Sequence, residues 1–364
     1  MKTEEINSTA EKAFELRAKL HEIPEKSGQE IKTKAALISF FSGVEGLEII
    51  DCGKWFYAVH RENAETSIAF RADLDAVSGA DGSPYHGCGH DGHMSVMAAL
   101  AASTAGRKLG KNLFFLFQHA EETGEGAREC LGLFDREKID AIYGFHNCPG
   151  FPEGGVLIPE DTFACASLGL ILSFQGSQSH AAYPENGRNP IFPMAEFFSH
   201  WDELTDKSQY KGLILATPVC FSAGSRSFGV AAGSGEICLT LRARYNEDLE
   251  KLKKSVISAA AQLADEAGII LSTSEMDVFP ATENSGELLA KVTDAAHRAG
   301  LTCITPEGPF RWSEDFGWYS SKTKSFMLGI GAGESSAGLH TPEYCWNNEV
   351  TRAALKLFSE IAEN

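Results

Sequence analysis

A two-domain α/β fold, with one domain inserted into the other, is what this sequence predicts, and three observations predict it. Short β-type runs alternate with helical periodicity in both the first and the last part of the chain. Five of those elements run into histidine, cysteine or carboxylate side chains. Residues 168–273 have a different texture, an α+β pattern with no dense cluster of such side chains. At 364 residues the chain is also about twice the usual length of one domain. The ligand-bearing domain is therefore expected to be discontinuous, over 1–167 and 274–364, with the inserted domain over 168–273.

Ile6, Ala10, Ala13, Phe14, Leu16 and Leu20 recur at helical spacing over 5–20, and Pro24 closes that helix. A second helix is expected over 30–41, then short strands at 47–50, 55–60 and 67–70. The last runs directly into Arg71-Ala72-Asp73-Leu74-Asp75, which places acids at a strand's carboxyl end, the edge where open α/β sheets bind ligands. HGCGHDGH follows at 86–93, then a helix over 94–105 and an apolar strand over 113–117 that ends in Gln118-His119-Ala120-Glu121-Glu122. A strand at 141–145 ends in His146, and a further apolar run precedes His340. The inserted domain is expected to hold strands at 168–174, 212–221 and 237–245 and helices at 190–204 and 247–267. Helices over 286–299 and from 349 complete the first domain.

HGCGHDGH crowds three histidines, a cysteine and an aspartate among glycines, and that density points to a transition metal. Cys88 and His90 can face one ion only where the backbone bends sharply, and Gly89 between them allows such a bend. One cluster cannot complete a site. Cys88, His90, Glu122, His146 and His340 together offer a thiolate, three imidazoles and a carboxylate, enough for two metal ions that share a ligand. Hydrolysis also needs a proton acceptor, and Glu121 beside Glu122 fits, because neighbours at a strand end can diverge. Asp73, Asp75 and Asp91 would then orient ligand imidazoles.

Plainer readings compete. His86, His93 and His119 read as structural histidines, and Cys52, Cys130, Cys148, Cys165, Cys220, Cys238, Cys303 and Cys345 as small buried hydrophobes. Adjacent glutamates usually mark a solvated face, yet Glu121 and Glu122 directly follow an apolar strand, where a wet face would alternate. A thiol hydrolase built on Cys88 and a histidine is the rival chemistry, but it has no need of so many further ligand-type residues.

The composition narrows the setting. A hydrophobic share of 43% and a charged share of 23% are those of an ordinary globular protein. A formal net charge of -18 repels nucleic-acid backbones and anionic lipid, so neither nucleic acid nor membrane is expected as a partner. The amphipathic, acidic N-terminus resembles no targeting segment, and nine cysteines without a disulfide framework suit a reducing cytoplasm.

RADLDAV, HGCGHDGH, FLFQHAEETGEGA, FHNCPGFPEG, SHAAYPENGRNP, SEDFGWY and GLHTPE stand in this chain in the order and approximate spacing seen in a known family. Together with Leu20-His21-Glu22-Ile23-Pro24-Glu25, they span nearly the whole sequence. The chain resembles the metal-dependent amidohydrolases of the aminoacylase and carboxypeptidase G superfamily. The resemblance is to the subfamily of hippurate hydrolase, auxin-conjugate hydrolases and N-acetyldiaminopimelate deacetylase. It implies a zinc-peptidase-like α/β/α catalytic domain with an inserted α+β lid and dimerisation domain, and a homodimer or higher homo-oligomer. It further implies two divalent ions held by Cys88, His90, Glu122, His146 and His340; imidazole plus thiolate suits zinc, with manganese, nickel and cobalt as alternatives. Glu121 matches the general base, and His180 matches a lid histidine that binds substrate or oxyanion.

The implied reaction is hydrolysis of the amide bond of an N-acyl amino acid or a related peptide-like substrate. A dipeptidase or aminopeptidase on the same scaffold, or a catalytically silent metal-binding relative, are the alternatives. One departure bears on the substrate: where many relatives have an asparagine in an Asn-Val-Ile-Pro type turn that receives the substrate carboxylate, this chain has Gly229-Val230-Ala231-Ala232. That leaves Arg188, Arg226 and Arg242 as candidates for the role.

Overall fold

The computed structural model describes the whole chain, Met1 to Asn364. It opens with helices α1 (Thr3–His21) and α2 (Ile31–Phe41) and strands β1 (Glu48–Asp51), β2 (Phe56–His60) and β3 (Ser67–Asp73). A short hairpin, β4 (Val77–Ser78) and β5 (Pro84–Tyr85), leads into α3 (His90–Thr104), and then come β6 (Asn112–Gln118), α4 (Gly126–Cys130), α5 (Gly132–Arg136), β7 (Ala141–Pro149) and β8 (Val156–Leu157). β9 (Ala166–Gln175), α6 (Ile191–Phe197), α7 (Trp201–Leu204), β10 (Ile214–Ala223), β11 (Ser234–Ala243), α8 (Asn246–Glu266) and β12 (Ile270–Phe279) follow. The chain closes with α9 (Gly286–Arg298), β13 (Cys303–Ile304), β14 (Lys324–Gly333) and α10 (Asn348–Glu363).

These elements form two compact units. The first comprises Met1–Phe163, Thr282–Pro309 and Glu314–Asn364, and the second Ala164–Ala281 with Phe310–Ser313. The expected boundary at 273 falls inside β12, which pairs along β9 and so belongs whole to the second unit. β12 escaped sequence reading because it is mostly exposed and its Ser272-Thr273-Ser274-Glu275 run carries no apolar alternation.

The first unit is built on an eight-stranded sheet of order β1-β2-β6-β3-β7-β14-β8-β13. At its centre β3 runs parallel to β6 and β7, and β7 parallel to β14. β3 and β6 are buried at every position, as parallel strands covered on both faces must be. The β3–β6 register sets Asp73 beside Gln118 and so brings the segments that follow each strand together at one sheet edge. Ile6, Ala10, Ala13, Leu16 and Leu20 of α1 lie at helical spacing and all are buried, while α3 is buried on nearly every side, as a central helix should be. α3 begins at His90, so the second half of HGCGHDGH forms its first turn rather than preceding it. β7 likewise runs on through His146 to Pro149.

The second unit is a four-stranded antiparallel sheet, β10-β11-β9-β12. β9 buries Leu168, Leu170, Leu172 and Phe174 in strict alternation, and α8 offers Leu249, Leu252, Val256, Ala260 and Leu263 to the same core. The single helix expected over 190–204 is three pieces, with a 3-10 turn at Phe198–His200 between α6 and α7.

Candidate active site

Every carboxylate, thiol and imidazole predicted for the metal site lies in the first unit, and the fold gathers them from four elements. Gly89 makes the first bend. Its φ of 94° is left-handed, and a side chain there would run into Tyr344, Asn147 and Trp346. The bend sets the Cys88 thiol just ahead of α3 and His90 in its first turn. Cys88 Sγ lies 3.4 Å from His146 Nε2 of β7 and 3.3 Å from His340 Nε2. Glu122 Oε1 lies 3.6 Å from His90 Nε2 and 3.5 Å from His340 Nε2. Two donor sets result, Cys88–His90–His146 and Cys88–Glu122–His340, each with its ligand atoms within 4.8 Å of one another, and Cys88 belongs to both.

The histidine tautomers are fixed from behind. His90 Nδ1 donates to the Asp75 carbonyl at 3.0 Å, with the Asp75 carboxylate 3.2 Å away, and His146 Nδ1 donates to the Asn147 carbonyl at 2.8 Å. Both Nε2 lone pairs are thereby left to face the thiol. His90 Nε2 and Glu122 Oε1 are buried and have no hydrogen-bond partner. A buried orphan acceptor is costly, and two aimed at one space beside a thiol are the donor set of a transition metal. The residues present therefore fit a pair of divalent ions, with Cys88 a member of both donor sets.

Glu121 lies beside this cluster, with Oε2 3.7 Å from His90 Nε2. Burial, reinforced by the Glu314, Glu122 and Asp315 carboxylates, pushes its pKa well above the usual carboxylate range. His180 stands in the second unit, on a segment that pairs with the 229–232 turn: the Ala181 amide donates to Gly229 at 3.0 Å and the Ala231 amide to Ser179 at 2.9 Å. The Ala182 amide donates to His180 Nδ1 at 3.0 Å, which leaves the ring proton on Nε2. Of the three arginines, Arg242 is already engaged with the Arg311 carbonyl and Ser313, at 2.9 and 2.8 Å.

Several expectations need correction. Asp75 does orient a predicted ligand, but Asp91 does not. Its carboxylate pairs with His21 at 2.8 Å and Arg17 at 3.2 Å, both on α1. Asp73 serves chiefly Arg71 and His93, each at 2.8 Å, and lies 3.7 Å from His90 Nε2. His93 spans Asp73 and Asn147 and His86 meets the Leu20 carbonyl, in keeping with their reading as structural histidines, and His93 also lies with Asp73 and His90 in a further group of metal-capable side chains. Among the remaining cysteines only Cys130, Cys148 and Cys165 are buried, while Cys220 and Cys345 are exposed.

Sequence reading also missed a polar network behind the site. The buried Arg71 guanidinium meets Gln118 and Asp73 at 2.8 Å, Asp315 at 2.8 Å and Glu314 at 2.9 Å. Asp315 also accepts from Gln118 and from the Ala127 amide, and Tyr319 donates to Gln118 at 2.7 Å. The available signal was Arg71 itself, a charge inside a run of otherwise strand-like residues, which must find buried partners.

Comparison with known proteins identifies a family. The profile of peptidase family M20/M25/M40 matches residues 69–364. The chain belongs to that family. It is 27% identical to the N-acetylcysteine deacetylase of Bacillus subtilis over 379 aligned residues, covering 97% of this chain and 98% of the relative. It is 27% identical to the N-acetyldiaminopimelate deacetylase of Listeria monocytogenes, covering 96% and 98%. A crystal structure from Bacillus subtilis, described as a dinuclear metal binding peptidase from the M20 family, shares the fold with a TM-score of 0.84 at 23% identity over 98% of both chains. As a member of this family the chain is an amide-bond hydrolase.

Proposed function

We propose that the chain is a dinuclear-metal N-acyl-amino-acid hydrolase, in which Cys88, His90 and His146 hold one divalent ion and Cys88, Glu122 and His340 the other. The observation that carries this reading is the pair of overlapping donor sets with two orphaned buried acceptors at their centre. When bound, the two ions supply Lewis acidity, polarising the scissile carbonyl and making water nucleophilic near neutral pH. The chain's own residues do the rest. Glu121 takes the proton of the attacking water and passes it to the departing amine. Its burial among Glu314, Glu122 and Asp315 favours the protonated form that it must hold between those two transfers. His180, with its proton on Nε2, donates to the oxyanion of the substrate. Asp75 keeps His90 in the ligating tautomer.

The substrate class follows from the deacetylases that the chain resembles along its length. Zinc is the metal a thiolate, imidazole and carboxylate set suits first, before manganese, nickel and cobalt. Nine free cysteines suit a reducing cytoplasm. A homodimer or higher homo-oligomer is supported by exposed apolar side chains on and beside β10, Val219, Phe221, Phe228 and Val230, and light scattering tests it. The test of the function is a panel of N-acetyl and N-benzoyl amino acids and dipeptides, assayed with each divalent ion. N-acyl amino acids should be cleaved, and cleavage confined to substrates with a free α-amino group would assign the chain to the dipeptidases instead.

A further inference from the structure

Neighbouring residues of an extended strand point to opposite faces, yet the carboxylates of Glu121 and Glu122 both come within 3.7 Å of the same nitrogen, His90 Nε2. The backbone after β6 must therefore leave the extended conformation, and it does so at Ala120. This alanine is one of four non-glycine residues in the chain with a positive φ, at 49°, and it is 2% exposed. An L-residue with a Cβ is disfavoured in that region, so something must hold it there.

What holds it comes from far away in sequence. The Ala120 amide donates to Glu30 Oε1 at 2.8 Å, and the same oxygen accepts from the Gly28 amide at 2.9 Å. Glu30 stands at the start of α2 and is only 4% exposed. On the other side of Glu121, the Glu122 amide donates to Asp75 Oδ2 at 3.0 Å, and Ser27 Oγ donates to that same oxygen at 2.6 Å. The amides flanking Glu121 are thus both fixed by acidic side chains, and both fixings trace back to the short segment 27–30. None of Ser27, Gly28, Glu30 and Asp75 lies in either proposed ion-binding set. Burial raises the Glu30 pKa, with Asp75 adding to the shift and the three backbone amides opposing it.

We infer that Glu30 is a positioning residue for catalysis. Its side-chain oxygen holds the Ala120 amide and so locks the left-handed turn that carries Glu121 and Glu122 to one centre. The inference rests on the functional reading above for the role of Glu121, while the lock itself is a property of the turn with or without metal. It also makes a specific demand. If the carboxylate serves to hold a conformation that alanine resists, then a glycine at 120, which adopts that conformation freely, should replace much of what Glu30 does.

The test uses the whole chain as wild type, Glu30→Gln, Glu30→Ala and Glu30→Ala/Ala120→Gly. Amide hydrogen exchange over residues 118–126 of the metal-free protein should be at least about tenfold faster at Ala120 in Glu30→Ala, and close to wild type in Glu30→Gln, which keeps the accepting oxygen. With metal and an N-acetyl amino acid, kcat of Glu30→Ala should fall on the order of tenfold to a hundredfold with KM little changed. Ala120→Gly in that background should restore most of the loss, and Glu30→Gln should stay near wild type. Should Glu30→Ala fail to fold, Glu30→Asp, which withdraws the oxygen by one methylene, carries the same comparison. Unchanged exchange at Ala120, or a loss of kcat that Ala120→Gly does not relieve, overturns the inference. A wild-type protein that cleaves no N-acyl amino acid overturns the functional reading instead, and the exchange result then decides the lock alone.

Discussion

Every residue of β6, from Asn112 to Gln118, is buried, whereas six consecutive residues of β10, 217–222, are exposed. The two strands, of 7 and 10 residues, are put to different use. A strand covered on both faces can bring polar chemistry to the surface only at its ends. In the first unit β3 and β6 do so side by side, handing Asp73 to Asp75 and Gln118 to Glu122 to one edge, while β7 carries His146 close to its own carboxyl end. All five clusters of metal-capable side chains fall in that unit. In the second unit β9 and β11 alternate between a buried and a less buried face, so their polar groups spread along the strands. Burial on both faces is what concentrates the chemistry.

The comparison can be broken by altering one unit and reading the other's property. Glu121→Gln should have the largest effect, lowering kcat about 10²- to 10⁴-fold while elemental analysis still finds two metals per chain. An active variant would remove Glu121 from the chemistry. Next, Arg71→Ala should destabilise the first unit by about 3–5 kcal/mol in denaturant unfolding, because Asp73, Glu314 and Asp315 lose their shared cation inside the protein. Leu241→Ala, at a fully buried position of β11, should cost about 2–5 kcal/mol. Like Glu121→Gln, it should leave the metal content of the folded protein at two, and loss of metal there would contradict the division of labour. The smallest effect is expected from Phe228→Ser, at a side chain 96% exposed: stability should move by no more than about 0.5 kcal/mol, with any consequence seen in oligomeric state by light scattering.

How much of this could be read from the sequence depended on the range of the signal. β6 was legible because its apolar run is uninterrupted, and Cys88, His90, Glu121, Glu122 and His146 because reactive residues adjoin or end such runs. The extent of β12 was not, since an exposed strand of serine, threonine and glutamate has the texture of a loop. The start of α3 was misplaced because histidine and aspartate at its first turn read as a loop cluster, although both suit a helix end as well. The Arg71–Asp315 and Glu30–Ala120 contacts join residues 244 and 90 positions apart, and no local pattern encodes either pairing. The candidate donor residues were legible chemically before the fold brought them together. What the fold adds is which nitrogen of His90 and of His146 is held from behind by a backbone carbonyl.

The most direct measurement of the central claim is hydrolysis of N-acetyl amino acids by protein of known metal content. The account predicts cleavage that rises to a maximum at two divalent ions per chain, disappears on chelation, and returns when metal is restored. Full activity in the chelated protein, or in Cys88→Ala, would contradict it.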